Sequence, residues 1–330
     1  MEKVVVIGAG PCGLSAAVEL KRIGFYPLVI EKHNVVHSIY RYPTYMKFFS
    51  TPDLLEIGGI PFTTPNDKPT RLEALHYYRT VAMREELRIR CYEEAVRIGR
   101  VETGFVVETV DRTGVRRSYA AENVVVATGY FDSPNLLGIP GEDLPNVTHY
   151  YKEAHPYSFM RVAVIGGNNS AVDAALDLLQ VGARVTMIYR GTPETQNVKP
   201  WVRPLFESMV RKGKIEMMYR SRVTAIFPDR IDVVLEDGST RTIEIDFVLA
   251  LTGFRPDRTM MKEVGVMVDD ETGIPAYDPE TMETNVPGLY VAGVVAAGRN
   301  ANEIFIENGR FHGVKIAAHL AAKTAGAYQR

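Results

Sequence analysis

Val4-Val5-Val6-Ile7-Gly8-Ala9-Gly10-Pro11-Cys12-Gly13 stands at the start of the chain and decides its fold. The β-branched run reads as a buried strand, and the glycines that end it read as a tight turn. A helical pattern follows, with apolar Leu14, Ala17, Val18 and Ile23, and it breaks at Gly24. A second short strand over residues 27–30 ends in Glu31, 23 residues past Gly8. Strand, glycine turn, helix, strand and acid together form the dinucleotide-binding βαβ fingerprint. Gly8 permits the turn, Gly10 lets the backbone approach a pyrophosphate, and Gly13 lets the helix pack on the strand. The helix N-terminus offers free N–H groups to the anion, and Glu31 is placed to accept from ribose hydroxyls.

The same syntax returns in the second half. A strand over 161–165 runs into Gly166-Gly167-Asn168-Asn169-Ser170-Ala171, a helix ends at Gly182, and a strand over 185–189 leads to Arg190. Arg190 lies 24 residues past Gly166, so the period matches while the acid has become a base. A carboxylate there repels a ribose 2′-phosphate and a guanidinium pairs with it, so the second site reads as one for NADP(H). Asn168 replaces the middle glycine, a departure from the fingerprint. Both halves also carry a hydrophobic strand ending in Thr-Gly-aromatic, at Thr128-Gly129-Tyr130 and Thr252-Gly253-Phe254. Between glycine loop and Thr-Gly the first half is 34 residues longer, and the irregular stretch 40–69 accounts for much of the excess. A long irregular segment in a compact domain is expected to be functional, here as a cover over a cofactor and substrate.

After the second Thr-Gly comes Asn285-Val-Pro-Gly-Leu-Tyr-Val-Ala-Gly293, a turn feeding a short strand, then a helical pattern from about Asn302 through His319. That order predicts an α/β protein of two Rossmann-like dinucleotide-binding domains, the second inserted into a discontinuous first. The expected boundaries are 1–130 and 254–330 for the first domain and 131–253 for the second.

Composition removes other classes. The 330 residues carry 38 Lys and Arg against 40 Asp and Glu, a net charge of −2, which is no footprint for nucleic acid. No apolar run approaches the roughly 18 residues that span a bilayer, and no secretory signal pattern precedes the first strand, so a cytoplasmic protein is expected. Cys12 and Cys91 are the two cysteines, too few for a zinc cluster and without a CxxC pair, so no metal is expected.

Beyond these patterns, GAGPCGLSAA at 8–17, YPTYMKFFS at 42–50, LEIGGIPF at 55–62, KEAHPY at 152–157, IGGNNSAVDAAL at 165–176, KPW at 199–201 and IFIENGRFHG at 304–313 resemble the YpdA-type bacillithiol disulfide reductases. These are flavoproteins with two dinucleotide-binding domains, and the resemblance covers essentially the whole chain. It implies FAD in the first domain, NADPH in the second, a homodimer, and reduction of a low-molecular-weight thiol disulfide. The expected FAD contacts are Gly8, Gly10, Pro11, Cys12, Gly13, Glu31, Lys32, Thr128, Gly129 and Gly293. The expected NADPH contacts are Gly166, Gly167, Asn168, Asn169, Ser170, Ala171, Arg190, Thr252 and Gly253. The redox residue carried over is Cys12. Its place in the first helical turn favours thiolate, while pyrophosphate charge opposes it, and a packing role stands beside the redox one. The superfamily's ribitol-binding acid is replaced here by Val294. A flavin monooxygenase and a non-catalytic NADPH sensor are the competing readings; the monooxygenase FxGxxxH fingerprint is missing at Leu144-Pro-Asn-Val-Thr-His149.

Overall fold

The computed structural model describes residues 1–327, so the last three residues of the expected first domain lie outside it. The chain divides into two compact units, one of residues 1–40, 46–133 and those from 254 onward that the structure describes, and the other of 41–45 and 134–253. The second unit is thus inserted into the first, and the short segment 41–45 belongs to the second unit rather than the first. There Thr44 N–H donates to Lys152 O at 2.8 Å, and the Arg41 guanidinium lies 3.7 Å over the Tyr150 ring.

In the first unit a parallel sheet runs Arg88–Cys91, Leu28–Glu31, Glu2–Ile7, Arg116–Val126, with Leu289–Val291 parallel to the last of these. The strands Gly104–Asp111 and Glu93–Val101 extend it as an antiparallel meander. Val4, Val5 and Val6 are fully buried, as a parallel strand covered on both faces requires. Ile7 pairs in register with Ile30 and with Val126, and Val126 with Val291. The carboxyl ends of these strands therefore line up, and the turns that leave them share one rim, where open α/β sheets bind their ligands. Helix Pro11–Arg22 begins with proline, whose fixed φ suits the first helical position. Its apolar face, Leu14, Ala16, Ala17, Val18 and Leu20, is buried.

The second unit repeats the plan. All strands of its main sheet are parallel, in the order Ile215–Met218, Arg184–Ile188, Arg161–Ile165, Phe247–Ala250, Val147–Thr148. Helix Asn169–Gln180 buries Ala171, Val172, Ala174, Ala175 and Leu178. A separate antiparallel sheet of Arg222–Ile226, Arg230–Val234 and Thr240–Glu244 completes the unit.

Two expectations change in detail. The irregular stretch contains the short helix Pro52–Leu55, and side chains of helix Arg71–Arg84 hold its backbone. Tyr77 Oη donates to Ile60 O at 2.7 Å and Tyr78 Oη to Leu55 O at 2.8 Å, while Phe62 stacks on Tyr77 at 4.3 Å. The single helix expected from residue 302 is broken into Ile306–Gly309 and His312–Ala327. At the break Arg310 Nη1 donates to Asp53 O at 2.6 Å and Glu56 O at 2.8 Å, which ties this segment to the irregular stretch.

Candidate active site

In the first unit, the glycine loop is forced by backbone proximity. Gly8 has φ +106°, and a Cβ on it would lie 2.4 Å from Ala127 O. A Cβ on Gly13 would lie 2.0 Å from Gly8 O, so the helix crosses the loop at a distance that admits only hydrogen. Gly10 and Gly129, in contrast, would place a Cβ in open space. No side chain caps the helix at Gly10, and the first helical N–H bond is Leu14 N to Gly10 O at 2.9 Å. The N–H groups of the first turn are thus free of side-chain acceptors, as a helix start that takes an anion requires.

Glu31 is 8% exposed at the end of its strand. Its carboxylate accepts from Ala9 N at 2.7 Å and His33 N at 2.9 Å, one bond to each oxygen. Burial raises its pKa, and these two N–H groups hold it back. Each oxygen keeps lone-pair capacity for a hydroxyl donor. Lys32 pairs with Glu94 at 3.0 Å, both side chains exposed. The residues gathered here fit an adenosine diphosphate moiety of a dinucleotide. Val294 offers no polar atom for a ribitol, and Gly293 N–H donates to His312 Nδ1 at 3.1 Å. Burial, with the Lys315 charge, lowers His312 to about 4, so that imidazole is a neutral acceptor.

Cys12 is half-buried beside two glycines remote in sequence. A Cβ on Gly309 would lie 2.9 Å from Sγ, and one on Gly293 would lie 2.9 Å from Cβ of the cysteine. Burial pushes the thiol up to about 12. The sequence sets a helix end against a pyrophosphate charge at this sulfur, and burial adds a further effect that acts against the thiolate. Gly309 gave no signal in the sequence; its role arises from close packing across the fold.

In the second unit Gly166 N–H donates to Ile188 O at 3.0 Å, as Gly8 N–H does to Ile30 O at 2.8 Å. The departure at Asn168 has a structural reason. Asn168 Oδ1 accepts from Asn197 N at 2.9 Å and Asn169 Oδ1 from Lys199 N at 2.9 Å. Gln196 Nε2 donates to Gly167 O at 2.9 Å, and the buried Lys199 Nζ pairs with Asp173 at 2.8 Å. The asparagines therefore hold a strap of residues 196–199 against the loop, which a glycine has no side chain to do. Ala171 is buried under Gly166, and its side chain cannot face a nucleotide. Thr252 Oγ1 donates to Asn135 O at 2.6 Å, so this hydroxyl braces the turn. Arg190 is exposed just past strand Arg184–Ile188 and has no ion-pair partner among the described residues. Among those residues there is no helix long and apolar enough to cross a membrane, and no group of three or more His, Cys, Asp or Glu able to hold a metal.

Residues 5–293 match the family described as pyridine nucleotide-disulphide oxidoreductase. The bacilliredoxin reductase Bdr of Bacillus subtilis (strain 168) is 51% identical over 325 residues, 98% of either chain. The structure of the bacillithiol disulfide reductase Bdr (YpdA) from Bacillus cereus superposes with a TM-score of 0.96 at 49% identity, covering 98% of this chain and 99% of that one. The corresponding Staphylococcus aureus structure gives 0.92 at 44% identity, covering 98% of each chain.

Proposed function

Because the chain belongs to the pyridine nucleotide-disulphide oxidoreductase family, we propose that it is an NADPH-consuming flavoprotein that reduces a low-molecular-weight thiol disulfide of the bacillithiol type. The reaction is NADPH + H⁺ + RSSR → NADP⁺ + 2 RSH. The observation that carries this reading is the pair of glycine turns on separate parallel sheets, one ending at a buried acid and the other at an exposed arginine.

Bound FAD supplies the two-electron relay from nicotinamide to disulfide. The first-turn N–H groups of Gly10, Cys12 and Gly13 would hold its pyrophosphate, Glu31 would accept from its adenosine ribose, and Thr128, Gly129 and Gly293 would line the rest of its site. Gly166 to Ser170 hold the NADPH pyrophosphate, and Arg190 pairs with the 2′-phosphate. Cys12 carries the exchange. Its thiolate attacks one sulfur of the substrate, the first thiol leaves with the proton that Cys12 gave up, and two electrons with two protons release the second thiol from the mixed disulfide and restore the Cys12 thiol. That attack needs a thiolate, so the Cys12 proton must depart before it. Reduction is favoured over oxygenation because the coextensive relatives are disulfide and bacilliredoxin reductases. The enzyme acts in the cytoplasm as a homodimer within thiol redox homeostasis.

The test is NADPH consumption by the purified yellow protein under argon and in air, with bacillithiol disulfide, glutathione disulfide or cystine, and with peroxide measured in parallel. Turnover that depends on disulfide and forms little peroxide is expected. Oxygen-dependent turnover indifferent to every disulfide would favour the monooxygenase reading, and a colourless protein that takes up no FAD would end the flavoprotein one.

A further inference from the structure

The 2′-phosphate of NADPH carries close to two negative charges at neutral pH, and Arg190 supplies one positive charge. The cations nearest in sequence are otherwise engaged. Lys199 is buried against Asp173, and Arg184 starts the strand whose far end leads to Arg190. Arg203 Nη2 donates to Gln196 O at 2.9 Å.

The sheet brings another guanidinium to the place. Pairing between neighbouring strands continues past their regular ends: Tyr189 N–H donates to Met218 O at 2.9 Å, Ser221 N–H to Tyr189 O at 3.2 Å, and Arg220 N–H to Gly191 O at 3.0 Å. Arg220 therefore lies beside Arg190-Gly191, just past the end of the adjacent strand Ile215–Met218 and 30 positions away in sequence. Its backbone has φ +49°, a left-handed conformation uncommon outside glycine, and such outliers gather at functional sites. Its guanidinium is 53% exposed and pairs with Glu236, itself 61% exposed, a partner that solvent makes easy to exchange. Glu194 also faces this charge from the loop after Arg190.

We propose that Arg220 is a second specificity residue for NADPH, leaving Glu236 to clamp the 2′-phosphate opposite Arg190. The proposal rests on the NADPH reading above and adds a residue to it. A guanidinium on each side of the phosphate gives the dianion two charge-assisted partners, and Glu236 acts as the competitor that phosphate must displace.

The experiment measures binding of 2′,5′-ADP and of 5′-AMP to the holoenzyme by calorimetry, so that neither hydride transfer nor disulfide chemistry enters. Arg220→Asn, chosen because asparagine tolerates the left-handed backbone, is expected to weaken 2′,5′-ADP about tenfold or more and leave 5′-AMP within twofold. Arg220→Lys recovers part of the loss, and Glu236→Gln tightens 2′,5′-ADP alone. If Arg220→Asn weakens both nucleotides equally, or neither, while Arg190→Ala still abolishes discrimination, the Arg220 assignment is wrong and the NADPH reading stands. Equal binding of both nucleotides by the unaltered enzyme removes the NADPH reading itself.

Discussion

The pH dependence of disulfide reduction tests what Cys12 does. Its thiol lies against Gly293 and Gly309, and burial raises it from an ordinary 9.0 to about 12. That shift corresponds to about 4 kcal/mol against the thiolate, and at pH 7 about one molecule in 10⁵ carries it. Each pH unit then raises the thiolate fraction about tenfold. Where thiolate supply limits exchange, kcat/KM for bacillithiol disulfide rises about a hundredfold between pH 7 and 9. Flavin bleaching by NADPH, followed anaerobically by stopped-flow absorbance, needs no sulfur and stays nearly flat over the same range. Cys12→Ser keeps FAD and the bleaching rate, since serine fits between the same two glycines, but loses disulfide turnover because a neutral hydroxyl is a poor nucleophile toward sulfur. A flat profile in the unaltered enzyme together with full turnover in Cys12→Ser would refute the reasoning and leave the sulfur a packing role.

Arg190→Ala removes one charge-assisted pair worth about 1.5–3 kcal/mol, so KM for NADPH rises roughly tenfold or more while KM for NADH barely moves; equal effects on both coenzymes would show that Arg190 does not bind the phosphate. Gly13→Ala places a methyl carbon 2.0 Å from Gly8 O and should lower Tm and FAD occupancy together, and a variant with normal Tm and full flavin content would contradict that geometry. His312 is held neutral at about 4 in the folded chain against an ordinary 6.5, so below pH 6.5 the unfolded state takes up protons first and stability falls as pH drops toward 4. By pH 5 the loss is about 2 kcal/mol, and His312→Asn should flatten that limb of the urea midpoint against pH; an unchanged limb would assign it to other groups.

What the sequence makes legible here is local. Gly8, Gly13 and Gly166 announce themselves because a few neighbouring atoms leave no room for a side chain, and such crowding needs no knowledge of the rest of the chain. Glu31 and Arg190 are legible by spacing, since one βαβ unit sets the distance from loop to strand end. What escapes notice depends on contacts between distant segments. Cys12 lies against Gly293 and Gly309, nearly the whole chain away, and its burial in the fold raises the thiol. Likewise Arg220 reaches Gly191 only through strand register.

The two glycine loops, alike in sequence, differ in what their open sides meet. Gly10 and Gly129 in the first unit face open space. In the second unit, Asn168 and Asn169 accept from the strap, Gln196 donates to Gly167, and Asn135 takes the Thr252 hydroxyl. Polar groups satisfied within the chain keep a loop in shape without help from a ligand, which suits a coenzyme that arrives and leaves at each turnover. Asn168 in place of the middle glycine, a weakness when judged by the fingerprint alone, is thus the residue by which the strap braces the second loop, a contact that Gly10 in the first has no side chain to make.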